Sequence, residues 1–293
     1  MNQNAYQGEI EKGLWFLSPQ IANSYLHASV KNIDKQPSLI SGRDIEAGFI
    51  RDIIGPDGNI IDIQQDEVPQ GSVGIVRCIG SMSKYGGWFN WGTDELIKMM
   101  KDFDKDPNII GQVWHDDSGG GTVSSVPPYL DFLKHKTKPV VSLLDTCGSA
   151  SYYKNCGTDF MMAENNTSAM FGSIGVMISF YDYKKMLKDM GIVEHIIEAD
   201  QSNNKNQAFK LAMEGKYDLI KSEYLNPLAL GFQNDVRAAR PKLKEAEGVL
   251  TGKMFYADEA LSLGMIDGIG NMEAAIDQVK FLASARSFIS TNY

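Results

Sequence analysis

Leu143-Leu-Asp-Thr-Cys-Gly-Ser-Ala-Ser-Tyr-Tyr153 overlaps the end of the apolar run Pro139-Val-Val-Ser-Leu-Leu144. A short apolar run of this kind reads as a buried strand, and the small residues Gly148, Ser149 and Ala150 end it before a helix begins. A strand that breaks into small residues brings a side chain to a sheet edge with backbone close by. Nucleophiles are presented this way, because small neighbours let a carbonyl approach the hydroxyl. The same three residues also suit plain strand–helix packing, so the rest of the chain has to decide.

Outward from this stretch, strands alternate with helices. Val73–Ile79 and Ile109–Trp114 read as buried strands, with the helix Asp94–Phe103 between them presenting Leu96, Ile97, Met99, Met100 and Phe103. A helix around Val126–His135 precedes the strand at Pro139; Phe160–Ala163, Gly175–Phe180 and Val193–Ile197 read as further strands. Asp182–Met190 is a helix stopped by Gly191. Gln207 to Arg240 is helical except at Asn226-Pro227, and Ala257–Leu263 and Ala274–Ala283 are helices. Strand–helix alternation of this length implies an α/β core with right-handed crossovers. Before it lies an arm over 1–68, with a short helix entered at Ser18-Pro19 behind Trp15-Phe-Leu17, and a hairpin turning at Gly55–Asn59. The main body is expected over 69–293.

Composition limits the function. The 293 residues are 43% hydrophobic and 22% charged, an ordinary globular balance, and the formal net charge is −9. That charge disfavours nucleic acid and anionic membrane as partners. No apolar run is long enough to span a membrane, and the first residues lack the basic and apolar regions of a signal peptide, so a cytoplasmic protein is expected. Cys78, Cys147 and Cys156 have no metal-ligand spacing and read as reduced buried thiols; only Cys147 lies near enough to Ser149 to be weighed as a nucleophile.

Three glycine-rich spots punctuate the body: Ser118-Gly-Gly-Gly121, Gly148-Ser-Ala150 and Gly172-Ser-Ile-Gly175. With no phosphate-loop or dinucleotide fingerprint present, their backbone N–H groups suit an oxyanion hole for acyl transfer. The base is open at this level. His115 precedes one glycine loop, His27, His135 and His195 lie in unremarkable contexts, and Lys154, Lys184, Lys185, Lys188 and Lys205 are the lysines near in sequence. A lysine serves as base when burial depresses its pKa.

In this order the motifs resemble the S49 serine peptidases of the signal-peptide-peptidase type, which share the fold of the Clp protease and the crotonases. Asp116-Asp-Ser-Gly-Gly120 resembles that family's Asp-Ser-Pro-Gly-Gly loop, with Ser118 in place of proline. Gly148-Ser-Ala-Ser-Tyr-Tyr153 resembles its nucleophile segment, Gly172-Ser-Ile-Gly-Val176 matches a family motif, and Leu250-Thr-Gly-Lys253 with Ala260 to Asp267 resembles its closing motif. The absence of an anchor, together with Trp15-Phe-Leu-Ser-Pro19, is similar to the bacteriophage head-maturation branch.

The resemblance implies repeated strand–strand–helix units and a Ser-Lys dyad. Ser149 would be the nucleophile and Lys205, in Ser202-Asn-Asn-Lys-Asn206, the base; Gly120 and Ala150 would form the oxyanion hole, and Ser173 would orient the lysine. Gly119, Gly121, Thr122, Gly172, Gly175, Val176 and Met177 would line the site and bind substrate as an added strand. It implies a protein substrate, such as a capsid or scaffold protein, a homo-oligomer, and no metal or organic cofactor. The alternatives are an inactive capsid-assembly homologue and a crotonase-like acyl-CoA enzyme.

Overall fold

The computed structural model describes residues 14–17, 50–62, 65–87 and 90–292. The three longest strands, β3 (Ser72–Ile79), β4 (Ile109–Ser118) and β6 (Val140–Gly148), lie parallel at the centre of an eight-stranded sheet. Each is a near-continuous apolar run, as expected of strands covered on both faces. The edge strand β2 (Arg51–Ile54) pairs antiparallel with β3. The expected hairpin is reduced to a turn, with the Gly55 N–H on the Asn59 carbonyl at 2.8 Å and a single bridge between Ile54 and Ile60. The helix expected after Ser18 lies outside the described residues.

The crossovers place helices where the patterning requires them. Helix α1 (Thr93–Lys105) joins β3 to β4 and buries Leu96, Ile97, Met100 and Phe103. Gly74 of β3 makes room for it, since a Cβ there would stand 2.3 Å from the Phe103 ring. Helix α2 (Pro127–His135) joins β4 to β6 and sets Tyr129 and Phe132 against the buried Trp114, with ring centroids 5.8 Å away in each case. The opposite face of the sheet is covered by the last helix, Met272–Asn292, whose Ala275 and Val279 join Val73, Ile75, Val113, Val141 and Leu143 in a second core cluster. The result is a mixed α/β fold built on a parallel sheet.

Strand β6 then forks. Its first half pairs through Val141–Leu144 with β7 (Phe160–Ala163), while Thr146–Gly148 pair with β8 (Met170–Gly172). The fork brings Gly172 opposite Gly148, at the end of β6 where helix α3 (Ala150–Asn155) begins.

Beyond β8 the chain departs from its apolar pattern. The strand expected over Gly175–Phe180 shortens to β9 (Met177–Ile178). Helix α4 (Lys184–Asp189) ends as expected at Gly191, with φ at +76°. The strand expected over Val193–Ile197 does not form: those residues are exposed and without regular structure, because no sheet edge meets them to take up their backbone groups. Helix α5 (Gln207–Met213) follows. The break expected at Asn226-Pro227 is also absent. A helical turn at Asp218–Ile220 and a π-turn at Lys221–Leu225 lead straight into α6 (Asn226–Ala239), with the proline set directly after the π-turn, an irregularity of the kind that accommodates a missing N–H.

The C-terminal portion closes the sheet through β10 (Met254–Tyr256), α7 (Ala257–Ser262), β11 (Gly268–Ile269) and α8 (Met272–Asn292). Arg240, at the end of α6, makes a bidentate contact with Asp267 at 2.7 and 2.8 Å, and Asp267 also accepts the Met161 N–H of β7 at 2.9 Å. Among the described residues no helix is long and apolar enough to cross a membrane. Replacing Asp267 by Ala should cost about 2–3 kcal/mol through loss of these charge-assisted bonds. Chemical denaturation, read as a lowered midpoint at unchanged slope, checks this.

Candidate active site

Ser149 is held where three backbone segments converge. It is 1% exposed and has φ 55° and ψ −115°, a conformation that side-chain-bearing residues rarely adopt. Its N–H donates to the Gly172 carbonyl at 2.8 Å, and its carbonyl accepts the Tyr153 N–H at 2.9 Å, starting α3. Glycine is required around it. A Cβ at Gly172 would stand 2.2 Å from the Lys253 carbonyl oxygen, and one at Gly148 would press on Gly119 at 3.3 Å. A serine forced into a sharp strand-to-helix turn is the geometry of a nucleophile elbow.

Helix α3 is fastened from several sides. The Tyr152 hydroxyl donates to the Met265 carbonyl at 2.9 Å, and Tyr153 stacks on Phe232 with centroids 4.2 Å apart. Beneath the helix lies a polar cluster that the sequence did not announce. Asp116 of β4 and Lys154 of α3 are both fully buried and form an ion pair at 2.7 Å. The same carboxylate oxygen accepts Asn155 Nδ2 at 2.7 Å and the Ser151 hydroxyl at 3.2 Å. Desolvation opposes the ammonium, but the adjoining Asp116 carboxylate more than offsets it and holds the Lys154 pKa above the ordinary lysine value. Lys154 therefore stays charged and cannot act as a base. A cation and an anion placed in otherwise apolar patterns, Lys154 after Tyr-Tyr and Asp116 after Val-Trp-His, were the available signals.

The glycine loop after β4 supplies the opposite wall. Gly120, with φ 105°, donates its N–H to Ser118 Oγ at 3.2 Å, and its carbonyl accepts the Met82 N–H at 2.9 Å. Ala150 is fully buried as the first residue of α3, where the helix itself has no use for its N–H. Ser173 is half-buried, with φ 52°, and its N–H donates to the Lys253 carbonyl at 3.0 Å.

The strand edges assigned to substrate are β5 (Gly120–Thr122) and β9, and both are paired. Between them lies β1 (Leu14–Leu17), antiparallel to each. Gly120, Gly121 and Thr122 face Leu17, Phe16 and Trp15, and Met177 also faces Trp15. Gly119 adjoins Gly148, while Gly175 and Val176 connect Ser173 to β9.

The remaining candidates separate cleanly. Burial pushes the Cys78 and Cys156 thiols up to about 12 and that of Cys147 higher still, so none supplies a thiolate nucleophile. His115 contacts Glu164 at 3.0 Å and, one residue from Asp116 in a strand, points to the other face of the sheet. His135 contacts the Asp131 carbonyl on α2, His195 is exposed, and His27 lies outside the described residues. Lys184, Lys185 and Lys188 are exposed on α4.

Lys205 is exposed in the turn before α5, its backbone N–H on the Ser202 carbonyl at 2.9 Å. Helix α5 packs through Ala208 and Ala212 in a small cluster with Ile178 of β9, which ties the Lys205 segment to one wall of the slot. Among the described residues the Lys205 ammonium has no hydrogen-bond or ion-pair partner, and the side chain is exposed.

A family model described as Peptidase family S49 matches residues 132–286, more than half of the chain, from α2 through the serine turn to α8. The chain belongs to peptidase family S49. This S49 chain is 24% identical over 200 residues to a protein of Enterococcus faecium named as a signal peptide peptidase, covering 63% of this chain and 54% of that one. It is 20% identical over 201 residues to Protease 4 of Haemophilus influenzae, covering 67% and 32%. It thus spans about half or less of the length of these two relatives. Among solved structures, a membrane-bound stomatin-specific protease aligns over 68% of this chain and 80% of its own, at 15% identity and a TM-score of 0.40.

The buried pair under the S49 serine turn gives a measurable expectation. Lys154→Met leaves the Asp116 carboxylate buried without its cation and should cost about 3–5 kcal/mol of stability. Combining it with Asp116→Asn should restore more than half of that loss, because both charges are then gone. Thermal and denaturant midpoints of the two variants check it.

Proposed function

We propose that this S49-family chain is a serine endopeptidase working through a Ser149–Lys205 dyad. The observation that carries the reading is the positive φ of Ser149, 55°, at a buried strand-to-helix turn with Gly148 before it and Gly172 across the strand pair. A fold that only needed tight packing there would use glycine at that φ, whereas this chain accepts the strain of a hydroxyl.

In the proposed mechanism, neutral Lys205 takes the proton of Ser149 Oγ as the oxygen attacks a peptide carbonyl, then delivers it to the leaving amine. Water hydrolyses the acyl-enzyme by the same route. The N–H groups of Gly120, exchanging Ser118 Oγ for the substrate oxygen, and of Ala150 hold the tetrahedral oxyanion, each such donor being worth about 3–4 kcal/mol of barrier. Ser173 orients the lysine. The substrate backbone adds to β5 and β9, bonding at Gly121 and Met177 and lying alongside Thr122.

The base role requires Lys205 to lose water, and we assign the covering surface to a second copy of this chain. In support, the segment just before Lys205 presents Phe180, Tyr183, Met186, Met190, Ile192, Val193, Ile196 and Ile197 to solvent, the last at 94% exposure. An apolar surface of this extent on one segment is characteristic of an interface. The natural role proposed is cleavage of a capsid or scaffold protein during phage head maturation, on the likeness of Trp15-Phe-Leu-Ser-Pro19 and the core motifs to that branch.

Co-expression with a candidate capsid or scaffold protein tests the reading. Wild type should cleave it, and Ser149→Ala should lower the rate by at least three orders of magnitude. Lys205→Ala should do nearly the same. Cleavage surviving Ser149→Ala overturns the mechanism, and survival in Lys205→Ala alone moves the base elsewhere. A serine-directed acylating probe should label Ser149, and no labelling would favour an assembly protein without activity. In solution the mass should exceed that of one chain, and Ile197→Glu should lower both assembly and activity.

A further inference from the structure

The slot beside Ser149 already holds a strand. β1 runs antiparallel to both β5 and β9 and completes a three-stranded sheet of order β5–β1–β9, separate from the main sheet. One edge of β5 is spent on Met82, whose N–H donates to the Gly120 carbonyl and whose carbonyl accepts the Thr122 N–H, both at 2.9 Å. The alternation of an extended strand turns the backbone groups of Gly121 to the other edge, opposite Phe16. That edge, and the facing edge of β9, are where an incoming peptide would bond.

The direction and register of β1 are those of an acyl donor. The segment runs towards the oxyanion loop, with Trp15 opposite Thr122 and Leu17 opposite Gly120, so its C-terminal end lies nearest the proposed oxyanion donor.

We propose that residues 14–17 form a resident strand that occupies the substrate slot in cis, so that a substrate adds only after this segment has left. The proposal rests on the reading above that β5 and β9 receive substrate backbone. The occupant is a segment of the same chain, so it competes at a high effective concentration that dilution cannot lower. Substrate affinity is then reduced by the fraction of molecules in which the slot is open. The chemistry, once substrate is bound, is unchanged.

The test keeps the full chain and removes single ladder donors. Phe16→Pro deletes the N–H opposite Gly121, and Trp15→Pro deletes the one opposite Met177. With a pool of extended fluorogenic peptides, each variant should lower KM at least tenfold with kcat within twofold of wild type. Amide hydrogen exchange at Gly121 and Met177 should quicken in both, and slow again when the blocked tetrapeptide Leu-Trp-Phe-Leu is added. Unchanged KM and unchanged exchange in both variants overturn the proposal. Loss of the folded state in both also overturns it, because β1 would then be part of the scaffold. If wild type and variants cleave nothing, the peptidase reading fails while the exchange experiment still decides this one: protection restored by the tetrapeptide supports the resident strand, and its absence overturns it.

Discussion

The hydrogen bond from the Ser149 N–H to the Gly172 carbonyl, 2.8 Å long, joins the two strands on which everything else turns. It exists because β6 forks, leaving β7 after Leu144 and taking β8 from Thr146. Around it, Gly172 packs directly on the Lys253 carbonyl and Gly148 on Gly119, approaches that a Cβ would crowd. The backbone of β6 is thereby carried past its last ladder position and turned through a left-handed residue before α3 starts. The geometry of the serine turn is thus a product of sheet topology, with the side chain placed by backbone that is itself held by β8 and α3.

What secures the turn from below is electrostatic. A lone buried charge would cost several kcal/mol, but Asp116 gathers Lys154, Asn155 and Ser151 onto one oxygen, and all three come from the six residues of α3. Asp116 lies at the end of β4, just before the loop that carries Gly119 and Gly120. The cluster therefore locks the helix that bears Ala150 to the strand that leads to Gly120. Two candidate oxyanion donors, from distant parts of the chain, are held to one carboxylate. Apolar packing alone slides more easily than a set of directional bonds.

The core was legible because its signals are local. Ile109–Trp114, Pro139–Leu144 and Phe160–Ala163 are apolar runs with no other use than burial, and Leu96, Ile97, Met100 and Phe103 share one helical face. The strand-to-helix turn at Ser149 was legible from its small neighbours, Gly148 and Ala150. The failures concern partners far away in the chain. Val193, Ile196 and Ile197 look like a strand because β-branched residues favour one, yet no edge receives them. Trp15-Phe-Leu17 looks like the lead into a helix, and nothing in three apolar residues states that their backbone pairs with Gly120–Thr122 about a hundred positions later. Lys154 read as one lysine among several, because its burial is set by Asp116, an acid in another strand.

The buried pair also couples two elements that are far apart in the sequence. Lys154 is out of water only where Asp116 meets it, and Asp116 stands in β4, paired between β3 and β6. The six-residue α3 is too short to hold itself as a helix, so its shape is borrowed from the sheet. A substitution that unsettles β4 is therefore felt at the Ser149 turn, far along the chain, as a loss of positional order.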